Sequence, residues 1–239
     1  FGVSALPSVT RAFQTGDLRK LKRTVEAVLR ITFLTALPMG VGISVLAQPT
    51  ALLIYGARPG TVIVGRVLTT LGAASVFAAL CGPLNSILQA MGHVELPVVL
   101  TLIGLFVKAV LDYTLAAVPR VNVLGGAVGT LVCYALASVL ACIAIRRIAG
   151  VKIDFFSTFK KPFLASVCCG VAALLTHKAW CAVLPESRFS ALPAVFLGAL
   201  IYVVFLLIAR GICEEDIKAL PNGEKITKRL EKYLQKAGG

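Results

Sequence analysis

Two side chains of opposite charge lie one helical turn apart inside a long apolar stretch. Lys108 and Asp112 both fall within the run from Pro97 to Pro119. A helix rises about 1.5 Å per residue, which places Lys108 about 16 Å along this run, near the middle of a bilayer core about 30 Å thick. Neither head group reaches water from that depth. The pair is therefore expected to face protein or a wet cavity, where intramembrane charges usually serve function.

Two interpretations of this pair stay open at the level of sequence. In the functional interpretation, the ammonium group of Lys108 binds an anionic ligand. In the structural interpretation, the two charges only neutralise one another. On a helix, an i,i+4 pair with the lysine first is the less favourable order, which leaves the ammonium freer to bind an external anion.

Three further polar side chains are candidates for the same binding cavity. Asn85 and Gln89 follow Gly82-Pro83 and project one turn apart from one face of a helix. Amides buried in lipid need hydrogen-bonding partners, so they either join helices or line a polar path. Arg66 is expected nearer the outer face of the membrane. With the ion pair, these residues form the predicted substrate-binding set.

Composition indicates that a bilayer surrounds most of the chain. Apolar residues make up 58% of it and the mean hydropathy is +0.89, whereas soluble domains hold about 45–50% apolar residues. The net charge of +13 arises from basic residues in short stretches between apolar runs, which is typical of membrane topology. No nucleic-acid-binding motif accompanies them, so nucleic acid is not a predicted partner. The sequence has no GxSxG, HExxH or Walker A motif, which argues against an enzyme; no metal or cofactor is predicted.

The apolar runs predict an all-α, polytopic bundle of transmembrane helices. Residues 1–13 resemble the end of a preceding membrane helix, so the chain is expected to be a fragment whose N-terminal part is missing. Residues 14–30 predict a cytoplasmic amphipathic helix, lying on the inner leaflet or serving as a solvated linker. Residues 211–239 predict a cytoplasmic tail with a short helix. Between them, six runs are long enough to span a bilayer: 31–56, 66–91, 97–119, 124–146, 162–184 and 191–210.

The distribution of basic residues predicts the orientation of these spans. Three regions that fall on one side of a six-span bundle hold 18 lysines and arginines: residues 11–30, residues 146–161 and the tail from 210. The opposite side holds five, namely Arg58, Arg66, Arg120, Lys178 and Arg188. Cytoplasmic loops carry the excess of basic residues, so both ends of the chain are expected in the cytoplasm.

Small residues predict where helices approach closely. Gly125 and Gly129 form a Gly-x-x-x-Gly pattern that continues to Cys133, giving a smooth helix face. The seven cysteines form no Cys-x-x-Cys pair. They are therefore interpreted as small packing residues inside helices.

Several stretches, taken in order, resemble bacterial polysaccharide and lipid-linked oligosaccharide flippases. The first is ALPSVTRAFQTGDLRKLKRTVEAVLRITFLTALPMG, with a proline-containing helix end, a Gly-Asp turn and a basic amphipathic helix. The second is NSILQAMGHVELPVVLTLIGLFVKAVLDYTLAAVPRVNVLGGAVGT, with a Gly turn, a lysine-bearing helix and a Leu-Gly-Gly-Ala helix start. The tail, EEDIKALPNGEKITKRLEK, is similar to the end of the stage V sporulation protein B branch.

This resemblance implies a member of the multidrug/oligosaccharidyl-lipid/polysaccharide exporter superfamily, with two helical lobes around a central cavity. The chain would form the C-terminal lobe, and the missing N-terminal lobe would be its partner. The implied activity is transport of an undecaprenyl-linked sugar, such as a lipid II-like peptidoglycan precursor, across the bacterial cytoplasmic membrane by alternating access, in cell-wall synthesis or sporulation. Membrane lipids would surround the bundle. A cation-coupled multidrug exporter of the same superfamily and a non-transporting membrane scaffold remain alternatives.

Overall fold

The computed structural model describes residues 9–118, 122–150, 155–183 and 196–202, and these residues are almost entirely helical. Residues 9–14 form a short helix, and 196–202 are helical as well. The six helices between them are α1 (Leu18–Val45), α2 (Ala47–Tyr55), α3 (Thr61–Ala90), α4 (Glu95–Ala116), α5 (Asn122–Ala149) and α6 (Phe155–Val183). The described part of the chain contains no strand, and its all-α, polytopic architecture confirms the predicted fold class.

Four of these helices are long and apolar enough to cross a membrane: Leu18–Val45, Thr61–Ala90, Glu95–Ala116 and Val123–Ala149. Within α6, the shorter stretch Pro162–Thr176 is also apolar. The predicted span 191–210 and the predicted tail 211–239 lie largely or wholly outside the described residues. So do residues 1–8 of the predicted preceding helix.

The helix boundaries differ from the sequence prediction around α1. Asp17 caps the start of the helix, since its carboxylate accepts a hydrogen bond of 3.0 Å from the Lys20 amide. The helix then continues to Val45 without a division at residue 30. The run 31–56 is instead interrupted at Leu46. Pro49 accounts for this break, because a proline ring has no amide and its ring collides with the carbonyl group four residues earlier.

The helices follow a simple order of contacts. Helix α3 packs against α1, α2 and α5, while α5 also packs against α4, and α1 packs against α6. Helix α4 therefore lies at the edge of the described bundle, with α5 as its main neighbour. Consistent with this position, many of its large apolar side chains are exposed, including Phe106 at 73% and Tyr113 at 83%.

The main hydrophobic core lies at one end of the bundle, which we call the basic end because Arg19, Arg146 and Arg147 are exposed there. It joins the first half of α1 to the last turns of α3 and α5; its members include Leu21, Val25, Val28, Leu29, Leu84, Ile87, Leu88, Ala141 and Ile145. The apolar face predicted to lie on the inner leaflet thus covers protein. Only Leu18, at its start, is exposed, at 52%.

Candidate substrate-binding site

Helix α4 brings Lys108 and Asp112 into direct contact. The Lys108 Nζ donates a hydrogen bond of 2.7 Å to Asp112 Oδ2. The two side chains are 30% and 34% exposed, so the pair is partly shielded from its surroundings and still open on one side. A charge-assisted hydrogen bond of this kind is among the stronger ones in proteins. The predicted pairing of these two residues is present.

The glycines of α5, Gly125 and Gly129, let the ion pair lie directly against the α5 backbone. A Cβ atom added at Gly129 would overlap Asp112 Oδ1. The two helices are equally close on either side of the pair. A Cβ at Gly104 of α4 would lie 3.0 Å from the Cys133 carbonyl oxygen of α5. A Cβ at Gly125 of α5 would lie 2.8 Å from the Leu115 Cβ of α4. The close approach predicted from the Gly-x-x-x-Gly pattern is therefore confirmed, with α4 as the partner helix.

The carboxylate of Asp112 is only half satisfied. Its Oδ1 is buried, and among the residues that the structure describes it has no hydrogen-bond donor. A buried acceptor without a donor costs roughly 1–3 kcal/mol, and more when it is charged. Lys108 is the one described partner that compensates the charge. Loss of the ammonium would leave this carboxylate in an apolar environment without compensation.

The other three predicted residues do not join the ion pair. Asn85 is half-buried and Gln89 exposed in the last turns of α3. Since a turn of four residues, 91–94, joins α3 to α4, helical rise places Asn85 about 12 Å closer to the basic end than Lys108. Arg66, exposed near the start of α3, lies about 16 Å beyond Lys108 in the opposite direction. The predicted set is therefore spread along the bundle.

A polar contact between α3 and α5 was not indicated by the sequence. Ser138 of α5 is buried, and its Oγ donates a hydrogen bond of 3.1 Å to the Phe77 carbonyl of α3. The Cys81 Sγ lies 3.3 Å from the same Oγ. These partners are 57 and 61 residues apart, so no local pattern connects them. Cys81, interpreted from sequence as a packing residue, also takes part in a polar link.

A comparison with known families decides the relationship of this chain. The family model of the lipid II flippase MurJ matches residues 1–203. The chain belongs to the lipid II flippase MurJ family. This membership confirms the resemblance inferred from the sequence, and together with the four long apolar helices it makes the chain a multi-pass membrane protein.

Curated proteins of Bacillus subtilis strain 168 are similar to this member of the MurJ family. The uncharacterized membrane protein YabM is 22% identical over 247 aligned residues, covering 98% of this chain and 44% of YabM. Stage V sporulation protein B is 23% identical over 222 residues, which cover 90% of this chain and 40% of that protein. Lipid II flippase MurJ is 26% identical over 151 residues, covering 63% of this chain and 27% of that protein. The chain spans less than half the length of these relatives.

Proposed function

We propose that this chain is part of a transporter, not an enzyme, that moves a lipid-linked sugar precursor from the inner to the outer leaflet of the bacterial cytoplasmic membrane. Membership of the lipid II flippase family supports this class of substrate. The observation that carries the proposal is the partly exposed ion pair between Lys108 and Asp112, which lies against α5 at the middle of the apolar helix α4. Ionisable groups at that depth are costly and are kept mainly on substrate or ion pathways.

The geometry of the pair suits an anionic head group. An ammonium has three donors, and Asp112 Oδ2 uses one of them, so two remain for a pyrophosphate. The carboxylate fixes the position of the ammonium before the substrate arrives. A pyrophosphate that competes for Nζ would bind with charge-assisted hydrogen bonds and would loosen the pair.

We propose that the dispersed polar residues contact the substrate in sequence rather than together. Asn85 and Gln89 lie towards the basic end, Lys108 lies in the middle, and Arg66 lies towards the opposite end. Amide groups suit sugar hydroxyls, and cations suit phosphates. An alternating-access carrier would expose the first set to the cytoplasm and the last to the outside, while the prenyl tail stays in lipid.

A second lobe is proposed to complete the cavity. The relatives are more than twice as long as the part of them that this chain matches, since it covers 44% of YabM and 40% of stage V sporulation protein B. The open side of the ion pair would then face the additional lobe. Lys108 and Asp112 would be enclosed between the two lobes when substrate is bound.

The proposed function is tested by flipping in liposomes. Full-length protein is expected to make a fluorescent prenyl-pyrophosphate sugar in the inner leaflet accessible to an external membrane-impermeant quencher. The 239-residue piece alone should not do so, because half of a cavity presents its polar wall to lipid. Transport of an amphipathic cation without flipping of the lipid-linked sugar would instead support the multidrug exporter. Robust flipping by the 239-residue piece would contradict the two-lobe proposal.

The proposed orientation places the basic end in the cytoplasm. Arg58→Cys, in the exposed connection between α2 and α3, should react in intact cells with a membrane-impermeant maleimide. Arg147→Cys, exposed at the end of α5, should react only after the cells are permeabilised. The parent protein, with its own cysteines, gives the background labelling. The reverse pattern of labelling would overturn the orientation.

A further inference from the structure

Pro38 leaves one backbone carbonyl of α1 without its ordinary partner. In an α-helix, the carbonyl of residue 34 accepts from the amide of residue 38, but a proline has no amide hydrogen. Inside a bilayer no water replaces this donor, so an unsatisfied carbonyl is costly there. The Leu34 carbonyl therefore requires a donor from another part of the protein.

Tyr202 supplies that donor from a distant part of the chain. Its hydroxyl donates a hydrogen bond of 2.5 Å to the Leu34 carbonyl oxygen across a separation of 168 residues. The acceptor is the carbonyl that Pro38 frees, one turn before the proline. The side chain of the helical segment 196–202 thus takes the place of a missing backbone amide in α1.

The surrounding contacts hold this segment and α6 closely against α1. The Cys169 thiol of α6 donates a hydrogen bond of 3.1 Å to the Gly198 carbonyl. A Cβ added at Gly198 would lie 3.2 Å from the Ala173 Cβ. A Cβ added at Gly170 would lie 2.8 Å from the Val41 Cγ1, just beyond the proline. The segment 196–202 is therefore seated on α6, and α6 on the part of α1 that follows Pro38.

The other side of α1 is equally close to α3. A Cβ at Gly40 would lie 2.8 Å from the Gly72 carbonyl oxygen, and the Ser44 hydroxyl donates a hydrogen bond of 2.9 Å to the Thr69 carbonyl. The half of α1 after the proline is thus fixed between α3 and α6. The half before it is fixed in the hydrophobic core of the basic end. Pro38 lies at the junction between these two anchored halves.

We propose that Tyr202 is a latch on a proline hinge in α1. A backbone amide in its place would be permanent, whereas a side-chain hydroxyl can leave and return as the helix changes its bend. With the bond formed, the two halves of α1 and the segment 196–202 move as one body. With it broken, α1 can change its bend at Pro38, and each half moves with the helices that anchor it. Tyr202 acts through Leu34 and Pro38 and is a positioning residue, with no contact to substrate in this assignment.

A role for this latch in transport rests on the proposed alternating-access function. The latch itself is tested by amide hydrogen exchange, which does not require transport. Tyr202→Phe removes only the hydroxyl group. In full-length protein in nanodiscs, it should raise the amide hydrogen-exchange rate of peptides spanning residues 34–42 about threefold, the effect of one interhelical hydrogen bond in a membrane protein. Tyr113→Phe, at a side chain that is 83% exposed, is the matched control and should leave this rate unchanged.

A second background separates the latch from simple packing. Pro38→Ala restores the amide that bonds the Leu34 carbonyl, so Tyr202→Phe should no longer change the exchange rate when added to Pro38→Ala. An equal acceleration in both backgrounds would mean that the hydroxyl contributes only general packing, and it would overturn the latch. An unchanged exchange rate when Tyr202→Phe is made alone, with Pro38 kept, would also overturn the latch. A failure of the flipping assay would leave this exchange result intact, so the two proposals fail separately.

Discussion

Lys108→Gln in the full-length protein is expected to weaken binding of a prenyl-pyrophosphate sugar at least about tenfold while the protein still folds. Hydrogen bonds to charged groups contribute about 1.5–3 kcal/mol, which corresponds to a factor of about 10–150 in a dissociation constant. Glutamine keeps an amide that can donate to Asp112 but carries no charge for a phosphate. The dissociation constant is measured with a fluorescent lipid-linked sugar and purified protein in detergent.

A matched control for this change exists on the surface of α1. Lys22 and Glu26 form the same i,i+4 arrangement, with 3.7 Å between Nζ and Oε1, at the basic end. Lys22→Gln removes an equal charge from a pair of similar exposure outside the proposed cavity and should leave the dissociation constant within about twofold, because the substrate is not proposed to contact Lys22. Similar weakening by both variants would show a general charge effect and would contradict the assignment of Lys108.

A double substitution separates the functional interpretation of the pair from the structural one. Removing one partner of a fully buried pair costs about 3–5 kcal/mol, which is an upper bound for this partly exposed pair, whereas replacing both by apolar residues is often close to neutral. Lys108→Leu combined with Asp112→Leu should therefore give a stable protein that does not flip the substrate. A stable double variant with full flipping activity would show that the charges serve only one another.

The amphipathic pattern of residues 18–29 identified a face but not what covers it. The spacing of Leu21, Val25 and Leu29 predicted one apolar side of a helix, and the structure has it. Apolar residues recur at the same helical spacing whether the face that they form meets lipid or protein. The partners, such as Leu84, Leu88 and Ile145, lie far along the chain and are joined only by the tertiary fold.

Residue spacing within single helices predicted the ion pair of the candidate site better than it predicted the contacts between helices around that site. Charge spacing was enough to pair Lys108 with Asp112, because residues four apart share one helix face. The small residues Gly125 and Gly129 predicted a close helix contact, although not the carboxylate that occupies it. The bond from Tyr202 to Leu34 could not be predicted, since Pro38 shows that a donor is missing but not where it comes from. Pro49 could have indicated the break at Leu46, had its clash with the preceding turn been weighed against hydropathy.

Gly129→Ala is expected to destabilise the protein by about 3 kcal/mol. The new methyl group would overlap Asp112 Oδ1, which lies directly against the α5 backbone. Relief requires either that the carboxylate turns away from Lys108 or that α4 separates from α5. Overpacking alone costs about 1–3 kcal/mol, and disturbing a partly buried ion pair adds to that cost. The free energy of unfolding is measured by denaturant titration of the full-length protein in micelles.

Gly126→Ala is the matched control, three residues earlier on the same helix. No atom lies within 4 Å of a Cβ built there, so the methyl group meets open space. Alanine favours a helix over glycine by about 1 kcal/mol, so this variant should be as stable as the parent or slightly more so. The comparison cancels the backbone effect of losing a glycine and isolates the contact with Asp112. Equal stability of the two variants would show that the Asp112 carboxylate moves away from residue 129 at no cost. The close contact of the ion pair with α5 would then not fix the orientation of Lys108.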